Sequence, residues 1–262
     1  MHNTHKMPVI FVSHGAPDLP LTRIPAYHFF CTLSQKIPEP KGIVAISAHW
    51  LEKRPTVGTS SRLETIHDFY GFPPALYEME YPAKNNDSLV ETVCDSLTQG
   101  GIAYELNSIR GLDHGAWCPL RLMYPEADIP VIPVSLIGRG TPEQHLKTGQ
   151  ALATLREQGI LILASGAMTH NLAGMKPEGS LPDPWAINFV AWIEDKLMTQ
   201  NQESLLRYRE RAPQAGYVHP STEHFDPLLV AVGAAGDDTC SKLHASFSYG
   251  NLSMASYGFG MV

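Results

Sequence analysis

Short apolar runs along the chain alternate with longer segments whose apolar residues recur at helical spacing, which predicts parallel strands joined by helices and an α/β fold. The strands fall at Val9–Val12, Ile43–Ser47, a shorter one near Ala103–Leu106, Val131–Leu136 and Ile160–Ala164. The helices fall at Ser88–Thr98, Gly115–Tyr124, Pro142–Gln158 and Trp185–Thr199. Thr141-Pro142 supplies an N-cap with proline at the first helical position. A further helix with Leu228, Leu229 and Val232 on its apolar face is capped by Ser221 or Thr222, which puts His224 in its first turn. Ile66–Ala83, rich in aromatics and proline, is too irregular for one element and reads as a long ordered loop covering a site. His244–Gly260 alternates around Tyr249-Gly250-Asn251 and reads as a closing hairpin.

Three of the apolar runs end in the same way. MPVIFVSHG, GIVAISAHW and GILILASGAMTHNL each finish on a serine followed by a histidine: His14, His49 and His170. In open α/β sheets ligands bind beyond the carboxyl ends of the strands, where these residues fall. One such histidine is as readily a strand-end cap. Three or four neutral imidazoles converging on one point would hold zinc or iron, and His224 is the fourth candidate. Glu223 is an alternative carboxylate ligand, but adjacent helical positions diverge by about 100°, so one of the two faces the site.

Composition narrows the partner. The 262 residues are 44% hydrophobic and 17% charged, an ordinary globular balance fitting one domain, 1–262. The formal net charge is −7 without a basic cluster, which argues against nucleic acid or an anionic membrane and for a small molecule. Four cysteines without C-x-x-C spacing point to a reducing compartment. No apolar run has the length of a signal peptide or membrane span, so a cytoplasmic location is expected. G-x-S-x-G, H-E-x-x-H, the P-loop motif and G-x-G-x-x-G are all absent from the sequence.

SHGAP, SAHW, TIHDFYGFP, LDHGAW, MYPEADIPV, ASGAMTHNL, STEHFDPLL and NLSMASYGFG occur in order from about Pro8 to Gly260. Together they resemble the class III extradiol ring-cleaving dioxygenases, in the DOPA 4,5-dioxygenase-like branch of the LigB-type family. The resemblance implies a single α/β domain with a mixed, largely parallel central sheet flanked by helices, one mononuclear metal, and O2-dependent opening of a catechol such as DOPA to a muconic semialdehyde. It carries over His14, His49 and His224 as metal ligands, His170 as a fourth ligand or the acid–base residue, and His114 as a pocket residue. Other branches use two histidines and one carboxylate; His224 matches the carboxylate position. Iron(II) is expected for activity, and zinc(II) can occupy such a site. Around this centre Trp50, Phe69, Phe72 and Trp117 are candidate apolar walls, and His67 and His114 candidate partners of the catechol hydroxyls. The remaining histidines, His2, His5, His28, His145, His219 and His244, are expected to be solvated or structural. Two other readings stay open: a zinc-dependent hydrolase, and a non-enzymatic binding protein on the same fold. Nothing in the pattern sets an oligomeric state.

Overall fold

The computed structural model describes residues 6–261, so His2 and His5 lie outside the described residues. Six strands form the main sheet: β1 (Val9–Ser13), β2 (Gly42–Ser47), β3 (Val131–Pro133), β4 (Ile160–Gly166), β5 (Cys240–His244) and β6 (Ser256–Phe259). Their order is β3-β2-β4-β1-β6-β5. The β3, β2, β4 and β1 strands are mutually parallel, while β6 runs antiparallel to both β1 and β5. The sheet is therefore mixed and mostly parallel.

Strands β1, β2 and β4 are buried along their whole length because both faces are covered. Alternate residues serve opposite cores. Val9, Phe11, Val44, Ile46, Ile162 and Ala164 pack on one side against helices α2 (Asp87–Gln99), α4 (Pro142–Leu152), α5 (Pro184–Met198) and α6 (Asp226–Ala235). Ile10, Val12, Ile43, Ala45, Leu161 and Leu163 pack on the other side against α1 (Pro25–Leu33) and α3 (His114–Met123). The α1 helix was not expected from the sequence. It starts at Pro25 and buries Phe29, Phe30 and Leu33.

Capping follows the sequence at α4, where Gln144 N–H donates to Thr141 Oγ1 at 3.3 Å and Thr141 N–H to Gln144 Oε1 at 2.8 Å. The α4 helix nonetheless stops at Leu152 and gives way to a 3-10 segment, Ala153–Gln158, ended by Gly159 with φ +85°. The run Val131–Leu136 is not one strand. Pairing with β2 ends as Val134 N–H donates to Ala45 O at 2.9 Å, and beyond it Ser135 N–H donates to Thr56 O at 2.9 Å while Leu136–Ile137 pairs with Leu51–Glu52. The short strand is Glu105–Asn107, paired with Thr56–Gly58 apart from the main sheet. The closing hairpin forms but starts earlier than His244: β5, from Cys240, pairs with β6, and inside them Phe247–Ser248 pairs with Leu252–Ser253 around the positive-φ residues Tyr249 and Gly250.

This topology gathers the carboxyl ends of β2, β4 and β1 side by side. The opposite ends of β1 and α6 are fastened together by buried Arg156, which donates to Met7 O at 2.7 Å and Ala234 O at 2.9 Å and pairs with Asp238. Among the described residues no helix is long and apolar enough to cross a membrane.

Candidate active site

His14 leaves β1 directly, His49 follows β2 by two residues, and His170 follows β4 by four. His224 arrives differently from the expectation. The α6 helix begins at Asp226, and His224 sits in the turn before it, where Phe225 N–H and Asp226 N–H donate to Thr222 O. Neither Ser221 nor Thr222 caps through its side chain: their hydroxyls go to Glu223 Oε1 and Asp226 Oδ2. His224 O accepts from Ala167 N–H at 2.8 Å, which draws the turn against the end of β4. Gly166 permits this approach, since a Cβ there would drive into the His224 carbonyl.

His14, His49 and His224 each offer a ring nitrogen within 4.8 Å of the other two. The Nε2 atoms of His14 and His49 are 3.2 Å apart, as are those of His49 and His224. His14 and His224 each have a hydrogen-bonded acceptor at the other nitrogen, and His49 has a carboxylate facing its own. Ser165 Oγ gives its own hydrogen to Gly115 O and accepts from His14 Nδ1 at 2.9 Å. Glu223 Oε1 accepts from His224 Nδ1 at 3.1 Å. Asp68 Oδ2 faces His49 Nδ1 at 3.5 Å. With the hydrogens on Nδ1, three bare Nε2 lone pairs point together and cannot satisfy one another. A shared cation would satisfy them: two nitrogens bound at about 2.0–2.1 Å to one ion stand roughly 3.0–3.4 Å apart.

Protonation does not compete with a cation here. Burial first, and then the neighbouring imidazoles, hold His14 and His224 well below the ordinary imidazole range. Burial and His114 lower His49 to about 4 against the opposing pull of Asp113 and Asp68. All three rings are thus neutral near pH 7, as metal ligation requires.

His170 stands apart from this trio. Its ring stacks on His224 with centroids 3.4 Å apart and planes 9° apart, and it groups with Glu223 and His224. Burial lowers its pKa, with Glu223 pulling the other way. The loop carrying it is fastened by His170 N–H to Val218 O and by Thr169 Oγ1 to Asn251 O at 2.7 Å.

His114 lies 4.1 Å from His49 and 5.4 Å from His14 between ring centroids. Its Nδ1 and its backbone N–H both donate to Asp68 Oδ1, at 2.9 and 3.0 Å, leaving Nε2 without a hydrogen-bond partner among the described residues. Burial would raise Asp68, but the hydrogen bonds and charge of His114 hold it at about 2. Gly115 next to it is required by space, because a Cβ would collide with Ser47 Oγ and stand 2.9 Å from His49 Cδ2.

The expected pocket walls separate into two groups. Phe69 packs edge-on to His114 at 5.8 Å, with Phe72 at 5.5 Å and Tyr77 at 5.2 Å from its ring. The loop is preordered by short helix Pro74–Tyr77 and by buried Trp117, which donates to Ile66 O at 3.0 Å. Trp50 and His67 have their polar atoms engaged elsewhere, although the His67 ring stays in the same aromatic cluster, 5.7 Å from Phe69 and 5.8 Å from Trp117. The Trp50 indole N–H goes to Glu52 and Arg110 covers its ring; His67 Nε2 donates to Met79 O and the residue lines an outer cleft with Arg62 and Glu80. His145 and His219 are buried, His145 facing Asp226 at 3.4 Å and His219 Nε2 donating to Met168 O. The outer carboxylates Asp68 and Asp113 escaped the sequence reading. Asp113 accepts from Ser47 Oγ at 2.5 Å and from Arg110 at 2.7 Å, so the serine ending β2 anchors the start of α3.

Phe69→Ala is expected to weaken catechol binding by about 1–2 kcal/mol with metal content unchanged, and Phe72→Ala by less, because only Phe69 reaches His114. Parallel titrations and melting curves check this. A fall in melting temperature with unchanged affinity would make Phe69 a packing residue only.

A mixed α/β sheet with imidazoles gathered at its carboxyl edge agrees with what comparison finds. Residues 3–260 match the family described as the catalytic LigB subunit of aromatic ring-opening dioxygenase. The chain belongs to this family and is an extradiol ring-opening dioxygenase. It is 41% identical over 254 residues to the 4,5-DOPA dioxygenase extradiol of Beta vulgaris, covering 95% of each chain. The protein of the same name from Escherichia coli K12 is 34% identical, covering 97% of this chain and 95% of that one. A crystal structure of an uncharacterized Escherichia coli K12 protein superimposes with a TM-score of 0.82 at 30% identity, covering 97% of this chain and 99% of that one.

Proposed function

We propose that this protein is a single-domain, metal-dependent dioxygenase that opens the ring of a catechol such as DOPA, with both atoms of O2 retained in a muconic semialdehyde product. The observation that carries the reading is the convergence of three bare Nε2 atoms, of His14, His49 and His224, beside a loop of aromatic side chains. These three residues would hold one metal ion. Iron(II) bound there would supply the redox chemistry that lets O2 react with a closed-shell catechol, which no side chain provides; zinc(II) fits the same donors.

The chain's own residues do the remaining work. Phe69, with Phe72 and Tyr77 behind it, offers an apolar wall to a flat ring and limits water at the site. His114, oriented by Asp68, presents Nε2 to a catechol hydroxyl. His170, neutral and outside the trio, accepts a hydroxyl proton. The free thiols Cys31, Cys94, Cys118 and Cys240 support a reducing, cytoplasmic setting.

The test is anaerobic loading with iron(II), then O2 with DOPA and simpler catechols. A coloured semialdehyde formed with one equivalent of O2 consumed is the expected result. Metal binding without O2 uptake on any catechol would overturn the dioxygenase reading in favour of hydrolysis or binding.

A further inference from the structure

Three neutral imidazoles around a divalent ion leave two positive charges uncompensated, and among the described residues the trio contains no carboxylate. His14 and His224 are only 2% and 4% exposed, so that charge would be largely withdrawn from water, at high cost. Two carboxylates stand immediately outside. Asp68 faces His49 Nδ1 at 3.5 Å and binds His114 Nδ1 at 2.9 Å. Glu223 accepts from His224 Nδ1 at 3.1 Å and from Ser221 Oγ at 2.9 Å, and lies within 4.8 Å of a His170 ring nitrogen. Each carboxylate stands between one imidazole of the trio and one beside it, but the hydrogen bonds differ: Glu223 binds the trio's His224 directly, whereas Asp68 binds the outer His114 and faces His49 at 3.5 Å. Asp113, the other acid close by, is already neutralised by Arg110 at 2.7 Å.

We propose that Asp68 and Glu223 are the anionic part of the metal site, displaced from the metal itself and acting through His49 and His224. The inference rests on the metal-binding reading above. The donor set favours this role over simple bracing. A carboxylate opposite a ligating imidazole fixes its tautomer and makes its Nε2 a stronger donor. Two of them bring the formal charge of a divalent site with neutral ligands to zero. Their side chains are 25% and 24% exposed, so solvent screens part of the effect but leaves the geometry intact.

Asp68→Asn and Glu223→Gln test the proposal, because each keeps a hydrogen-bonding oxygen and the side-chain shape while removing the charge. Zinc(II) and cobalt(II) affinities are measured by chelator competition without catechol or O2, and the iron(III)/iron(II) potential is measured on the same proteins. Each variant is expected to lose roughly tenfold or more in affinity, the double variant to lose more than either, and the potential to move positive, since the trivalent ion suffers more from the lost charge. Bracing alone gives no reason for both substitutions to move the potential in the same direction. Affinities within about twofold of the unsubstituted protein, or a negative shift, would overturn the proposal while leaving the metal reading standing. Failure of the unsubstituted protein to bind either ion would overturn both.

Discussion

His49→Ala is expected to reduce metal affinity by well over a hundredfold and to abolish ring opening, because it removes the ring whose Nε2 lies 3.2 Å from each of the other two. Loss of an outer hydrogen-bond partner typically costs 10–100-fold, and loss of a ligand exceeds that. Elemental analysis after dialysis against a metal buffer is the direct measurement. His14→Ala and His224→Ala should behave alike. Their apo stability is the informative control. In the metal-free protein the trio sets bare lone pairs against each other, so removing one ring relieves repulsion and partly offsets the packing it loses. The variants should therefore melt near the apo protein but gain nothing from added metal. The unsubstituted protein gains about 4 kcal/mol at a thousandfold excess of free metal over its Kd. Full metal content in all three variants would remove the ligand assignment.

The contrast between what the sequence revealed about this site and what it hid has a physical basis. A histidine directly after a buried parallel strand has little freedom: the sheet fixes where β1 and β2 end, and with them His14 and His49. The recurrent serines were visible but their work was not, because it depends on which loop passes overhead. Ser165 reaches Gly115 O and His14, Ser47 reaches Asp113, and Ser13 Oγ reaches Ala255 O at 2.8 Å. Periodicity located α6 but misjudged its start, because the turn through His224 is held by the Thr222 carbonyl and not by a side-chain cap. Asp68 was hidden for a related reason. It sits in an irregular loop, where no repeat relates sequence position to direction, and only the folded path brings it against His49 and His114. Trp50 follows β2 by three residues and is adjacent to His49, yet its indole turns to Glu52 and Arg110. Adjacency to a site residue is a poor guide where neighbouring side chains diverge.

His170→Gln should separate holding the metal from moving the proton. The His170 ring is parallel to that of His224 at 3.4 Å, and no nitrogen of it belongs to the converging trio, so the substitution should leave metal content unchanged. Burial holds this imidazole below its ordinary pKa even with Glu223 nearby, so at neutral pH it is uncharged and able to accept a hydroxyl proton. Glutamine can hydrogen-bond in the same space but cannot take that proton. Turnover is therefore expected to fall by about 10²–10⁴-fold, the usual contribution of a positioned general base. Anaerobic catechol affinity should change only a few-fold, since the apolar wall at Phe69 and the His114 Nε2 remain. Equilibrium binding without O2 and single-turnover rates after O2 addition measure the two quantities on one preparation. A variant that loses its metal would make His170 a fourth ligand. One that keeps both metal and turnover would transfer the proton-accepting role to His114, the other imidazole beside the trio, whose Nε2 has no hydrogen-bond partner among the described residues.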